Sequence, residues 1–182
     1  MQWHGWRIPV VLIALLVGLG VFLGAQWLYN RYSYQQPLND VLRHNPAVAS
    51  FTINQQEAVL RVTVRLKRVD NLMDAYRKLR RDIAGVLGGR DFRLEIRDDP
   101  DDRLQEAYYY SQFALYEAVD RGDYRDCAAS IDAYARRAGV KDKIFLDENN
   151  IYLQLQDNGH YLYRVIPRRP AAASAPPAGG TQ

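Results

Sequence analysis

The stretch Val59-Leu60-Arg61-Val62-Thr63-Val64-Arg65-Leu66 decides the fold. Leu60, Val62, Val64 and Leu66 recur with period two, as one face of a strand does, and Arg61, Thr63, Arg65 and Lys67 occupy the other face. One face belongs to a core and the other to solvent or a partner. Before it, Asn54 to Glu57 is polar and turn-like, and Val48, Phe51 and Ile53 predict an earlier strand with imperfect alternation. Leu38 to Arg43 predicts a short helix with Leu38, Val41 and Leu42 on one side. After it, Asp70 or Asn71 caps a helix running to about Val86, striped by Leu72, Tyr76, Leu79, Ile83 and Val86. Gly88-Gly89 ends that helix, because glycine enters the left-handed cap conformation without a Cβ clash. Asp91 to Arg97 alternates again, with Phe92, Leu94 and Ile96 inward and Arg93, Glu95 and Arg97 outward.

The chain has 182 residues, 48 % apolar and 25 % charged. These values exclude a fully disordered chain, a collagen-like fibre, a disulfide scaffold and a polytopic transporter. They conceal a segregation. Ile8 to Leu28 holds one polar residue, Gln26, and no charge. At about 1.5 Å per residue it matches the roughly 30 Å hydrocarbon layer of a membrane. Trp3 and Trp6 flank one end and Trp27, Tyr29 and Tyr32 the other, as an interfacial aromatic belt does. Residues 1–29 are therefore expected to form a transmembrane anchor and 30–36 a tether. A signal peptide cleaved after Ala25 is the competing reading, with a long apolar run and a large −3 residue against it. Arg7 before the span and Arg31 and Arg43 after it leave the charge rule nearly tied. The signal-anchor layout favours a domain outside the cytoplasm. Gly20 and Gly24 form a GxxxG, a spacing that lets two spanning helices approach closely.

The order helix, strand, strand, helix, strand over residues 37–98, on a single-span anchor, resembles the ring-building and BON-type modules of bacterial envelope proteins. The VLRVTVRL strand and the element order carry the resemblance, which implies oligomerisation or envelope attachment. A ferredoxin-like arrangement is a rival for the same elements. Gly85-Val86-Leu87-Gly88 also spells the GXXG of RNA-clamping KH loops. Such a loop joins two helices, whereas these residues straddle a helix end and lead into a strand, so a C-cap is expected.

Residues 99–168 are expected to form a second unit. In Asp98-Asp99-Pro100-Asp101-Asp102, carboxylates before a helix N-terminus point to capping rather than a metal site. The helix from Arg103 to about Asp120 carries Tyr108, Tyr109, Tyr110, Phe113 and Tyr116. These rings span too wide an arc for one stripe, so contact with protein on more than one side is expected. Arg121-Gly122-Asp123 turns the chain into a second helix ending at Ala138, with Gly139 as its cap and Cys127 on its apolar side. The stretch 114–138 resembles one tetratricopeptide-type hairpin, but solenoids need about three repeats, so an ordinary helical hairpin is expected. Lys143 to Leu146 reads as a short strand, and Ile151 to Leu155 and His160 to Ile166 as a hairpin turned by Asn158-Gly159. Tyr152, Tyr161 and Tyr163 suggest cross-strand aromatic packing. Residues 169–182 are Pro/Ala/Gly-rich and are expected to be disordered. The expected class is α+β: a transmembrane helix, an αββαβ module, a helical hairpin and a C-terminal β-hairpin.

The formal charge of +3 conceals a dipole. Residues 61–93 hold ten Lys/Arg and four Asp/Glu, net +6, and residues 95–126 hold four and ten, net −6. Complementarity within the chain, head-to-tail contact between subunits, and ordinary solvated faces all fit this pattern. Arg61, Arg65, Lys67, Arg77, Arg80 and Arg81 are the expected interaction residues. The strand face lacks the interleaved aromatics of single-strand binders, so nucleic acid is not the expected partner. Anionic lipid gains about 1 kcal/mol per basic residue at its surface. Catalysis finds little support: His4, His44 and His160 share no ligand spacing, and no nucleophile motif or phosphate loop is present. No cofactor, metal or catalytic residue is expected. The expected function is a membrane-anchored, non-enzymatic assembly or accessory component of an envelope complex. It would contact the membrane and either itself or another membrane-complex protein. The alternative is a tethered sensor or adaptor that binds anionic lipid or nucleic acid.

Overall fold

A computed structural model describes residues 7–30, 36–54 and 59–168, with side chains from 12 to 25 within the first range. The tether residues 31–35, the turn residues 55–57, the tail 169–182 and the side chains of the expected aromatic belt lie outside the described residues. Mixed α+β architecture is observed, with five helices and two three-stranded sheets among the described residues.

The first helix, α1, runs from Arg7 to Asn30. The αββαβ order follows as α2 (Gln36–His44), β1 (Val48–Asn54), β2 (Leu60–Leu66), α3 (Leu72–Leu87) and β3 (Phe92–Arg97). β2 is the central strand, antiparallel to β1 and parallel to β3. A parallel neighbour requires a crossover, and α3 supplies it. Asn71 caps α3, its side chain accepting from the Asp74 N–H at 3.1 Å. Gly88 closes α3 at φ 59°, so the GXXG glycines lie at a helix end and not in a loop between helices. The helix extends to Leu87, which is buried, while Val86 is only partly so.

The second half contains α4 (Asp102–Arg121), α5 (Tyr124–Ala138), β4 (Lys141–Leu146), β5 (Asn150–Asp157) and β6 (His160–Pro167). Asp101 caps α4 by accepting from the Leu104 N–H at 2.9 Å. Its neighbours Asp98 and Asp99 instead engage β6: Asp98 accepts from the Tyr163 N–H, and Asp99 forms a bridge with Tyr161. Asn158 and Gly159 turn β5 into β6, both with positive φ, as an Asn-Gly hairpin requires.

Two expectations need correction. The strand expected over Lys143 to Leu146 starts earlier, at Lys141, and pairs with β5 along its length, so the C-terminal hairpin is part of a three-stranded meander. Lys141, Asp142 and Lys143 give no apolar alternation, so only the pairing reveals their strand. The tyrosines do not pair across strands: Tyr152, Tyr161 and Tyr163 lie opposite Val165, Gln156 and Gln154. Tyr161 and Tyr163 are same-face neighbours on β6, 4.9 Å apart.

That tyrosine face joins the two halves. Leu104, Leu115, Cys127 and Ile131 of the helical hairpin pack with Ile151, Leu153, Leu155 and Leu162 of the second sheet. From the sheet's other face, Tyr152, Tyr161 and Tyr163 enter the core formed by α2, α3 and the first sheet. The second sheet is thus covered on both sides, and Ile151 to Leu155 is buried without a break. A strand buried on both faces shows no polar alternation.

Candidate functional site

The first sheet is covered on one side only. Val62, Val64 and Leu66 of β2 are buried with Leu38 and Leu42 of α2 and with Leu72, Leu79 and Ile83 of α3. On the opposite side, strand register assembles a basic surface. Arg61 lies beside Arg93, Thr63 beside Glu95 and Arg65 beside Arg97. Across β1, Asn54, Thr52 and Ser50 complete the same three rows. Arg65, Arg93, Arg97 and Lys67 are exposed. Arg61 and Glu95 are half-buried and form an ion pair at 3.5 Å. The surface is a shallow concavity of about 930 Å³. Register dictates this grouping: side chains on every second residue of paired strands share one face.

The six expected interaction residues therefore divide between two places. Arg61 and Arg65 lie on the open sheet face, with Lys67 just past the end of β2. Arg77, Arg80 and Arg81 lie on α3, which packs against the sheet's other side. They line a groove that also holds Asp147 and Glu148 of the β4–β5 turn. Both carboxylates lie outside the acidic stretch 95–126, so the charge segregation of the sequence does not describe this groove. Arg93 and Arg97, absent from the six, complete the face. Their outward parity is visible in the sequence, but their position beside Arg61 and Arg65 depends on the parallel β2–β3 pairing.

On α1, a Cβ added at Gly20 or Gly24 meets nothing within 4 Å. The apolar side chains from Leu12 to Leu23 are 50 to 67 % exposed. Among the described residues, no helix is long and apolar enough to cross a membrane.

A second surface was not among the expected sites. Tyr109, Tyr110, Phe113 and Tyr116 of α4 are 57, 47, 62 and 59 % exposed. Tyr109 meets Tyr110 and Phe113 edge to face at 5.3 and 5.8 Å, and Tyr110 stacks on Tyr134 of α5 at 5.8 Å. Helix α4 packs on both α5 and the second sheet, and Tyr110 reaches α5 through Tyr134, while Tyr109, Phe113 and Tyr116 face solvent. Density of tyrosine was the available signal, but it does not say which rings are covered.

His4 lies outside the described residues. His44 Nδ1 lies 2.7 Å from the Asp40 carbonyl, and His160 Nδ1 lies 3.3 Å from an Asp99 carboxylate oxygen. Cys127 is buried in the hairpin core. Its thiol is pushed up to about 11, first by burial and then by the Asp123 charge. The thiolate is the reactive form. Alkylation by iodoacetamide near neutral pH is therefore expected to be about 100-fold slower in the folded chain than in urea. Equal rates would place the thiol outside the core. Among the described residues, no three His, Cys, Asp or Glu side chains are grouped to hold a metal ion. Comparison with protein-family models, curated proteins and solved structures finds no match to this chain.

Proposed function

We propose that this chain is a bitopic membrane protein whose α+β domain serves as a non-enzymatic assembly component of an envelope complex. The uncovered arginine face of the first sheet carries this reading. A sheet face left in water needs only mixed polar residues. Concentrating Arg61, Arg65, Arg93, Arg97 and Lys67 around one carboxylate favours an acidic partner and steers its approach. The exposed positions of that face carry no aromatic side chain on which bases could stack, which speaks against single-stranded nucleic acid. Membrane anchoring rests on the uncharged stretch Ile8 to Leu28 within the helix Arg7–Asn30. Apolar side chains exposed along a helix cost about 25 cal/mol per Å² in water and nothing comparable in lipid. Gly20 and Gly24 would allow a second spanning helix to approach. The αββαβ order agrees with the likeness to ring-building and BON-type modules.

The decisive variant is Arg65→Glu with Arg97→Glu, leaving Arg61 to hold Glu95. Binding to the complex, read by co-purification from detergent-solubilised membranes, is expected to fall about tenfold or more. Thermal unfolding should be unchanged, because both side chains are exposed. Unchanged binding removes the face from function. A C-terminal tag on the full chain should be digested by protease in spheroplasts. Protection until lysis would place the domain inside and favour a cytoplasmic adaptor.

A further inference from the structure

The arginine face has a chemical counterpart elsewhere on the same chain. At 100° per residue, Tyr109, Phe113 and Tyr116 share the outer side of α4 with Asp102, Glu106, Glu117 and Asp120. All seven are exposed. The aromatic rings occupy the middle of the stripe, and carboxylates lie beyond them at both ends. The opposite side of α4 is buried through Leu104, Ala107, Ser111, Leu115 and Ala118. An exposed aromatic cluster bounded by charge is the composition of a protein contact surface.

The charges choose among occupants. Carboxylates at both ends of the stripe repel an anionic lipid surface and attract guanidinium groups. The rings favour arginine as well, through cation–π contact. The described residues make that contact internally: Arg164 lies over Tyr108 at 4.7 Å and Arg168 over Tyr124 at 4.8 Å. The arginine face of the first sheet presents the complement. Arg61 and Arg65 are four residues apart on β2, about 13 Å at 3.3 Å per residue, and Arg93 and Arg97 flank them in register. Along α4, Glu106 and Glu117 are about 16 Å apart, within reach of long arginine side chains at both ends of the face, with Glu117 sharing its carboxylate with Arg121 of the same helix. The rings between them would then lie over the Thr52–Thr63 row. Both surfaces are exposed in the chain, so neither covers the other internally.

We propose that the aromatic–acidic stripe of α4 docks on the arginine sheet face of a second copy of this chain. The two patches differ, so the contact is head-to-tail and propagates to a ring or a filament according to its rotation. This rests on reading the sheet face as a protein contact surface and names its partner.

The test uses the full chain in nonionic detergent, with Gly20→Leu and Gly24→Leu throughout so that contacts through α1 do not contribute. Sedimentation velocity should show concentration-dependent association that weakens with salt. Arg65→Glu/Arg97→Glu and Phe113→Ser/Tyr116→Ser should each lower the association constant about tenfold or more. Mixed, these two variants retain one intact patch each and should form a dimer that does not extend. Independently, a benzophenone amino acid at position 113 should cross-link between isotopically light and heavy copies, onto residues 61–67 or 92–97. A cross-link to a different segment, a α4 variant that associates normally, or a chain monomeric at all concentrations overturns the proposal. If the arginine variant alone loses binding to the membrane complex, this inference fails and the proposed function stands. If neither variant changes anything, both fail.

Discussion

Gln154→Leu is expected to lower the unfolding free energy by about 2 kcal/mol, the cost of leaving the buried Leu72 N–H unpaired and the Val69 carbonyl with Gln156 alone. Gln154 is 1 % exposed, although it sits on a strand that is otherwise apolar over 151–155. Its Oε1 accepts from the Leu72 N–H at 3.1 Å, and its Nε2 donates to the Val69 carbonyl at 2.7 Å. Leu72 N–H is one of the donors that the first turn of a helix leaves without an intrahelical partner. Leucine fills nearly the same space but offers no acceptor to the Leu72 N–H, while the Val69 carbonyl keeps the Gln156 amide. Neighbouring bonds hold the same segment. The Tyr163 hydroxyl accepts from the Val69 N–H at 2.9 Å, and the Tyr161 hydroxyl donates to the Leu66 carbonyl at 2.6 Å. Burial raises the pKa of both phenols, so both stay protonated well above neutral pH. These bonds fasten the β2–α3 connection to the second sheet and so set the two halves of the domain against each other. Gln156→Leu, at a more exposed position sharing the Val69 carbonyl, is expected to cost under about 1 kcal/mol. Urea unfolding followed by circular dichroism compares the two variants. A Gln154→Leu loss no larger than that of Gln156→Leu would show that the connection is not held this way.

Tyr152 separates volume from hydrogen bonding at the same junction. The side chain is fully buried, its ring edge-on to Tyr76 of α3 at 5.7 Å. Tyr152→Ala is expected to destabilise by about 3–5 kcal/mol, the range for removing a large buried ring. Tyr152→Phe removes only the hydroxyl, which donates to an Asp147 carboxylate oxygen at 2.8 Å, and is expected to cost about 1 kcal/mol near neutral pH. The pH dependence identifies the bond. Burial alone would raise the Asp147 carboxyl, but hydrogen bonds from Tyr152, Asn149 and Asn150 outweigh it and hold the group below its ordinary 3.8. A carboxyl depressed in the folded state adds stability above the unfolded value and loses it as pH falls through the folded one. The deficit of Tyr152→Phe should therefore shrink below pH 3.8, while that of Tyr152→Ala persists. A Tyr152→Phe deficit independent of acid would mean that the hydroxyl acts elsewhere than on Asp147.

Several elements were legible in the sequence because their signals are local. The alternation in Val59 to Leu66 placed Val62, Val64 and Leu66 in the core. Asn71 and Gly88 bounded α3 through cap chemistry that acts within one helical turn. Asn158-Gly159 specified a hairpin because both residues tolerate positive φ. Arg61 and Arg65 were readable as outward for the same reason of parity.

Only tertiary structure decided what those outward and inward faces meet. Strand β4 has no apolar pattern in Lys141 to Lys143 and exists through its pairing with β5. The double burial of the second sheet joins Tyr152, Tyr161 and Tyr163 to a core formed largely by residues 38–87. The six basic residues separated into a sheet face and a helix groove, and Arg93 and Arg97 joined the former. The tyrosines of α4 were dense enough to predict wide contact, yet four of its rings remain exposed. Periodicity fixes which side of an element a residue occupies, since that depends on backbone geometry alone. Which element covers that side depends on register and packing between segments distant in the chain, and local sequence does not carry that choice.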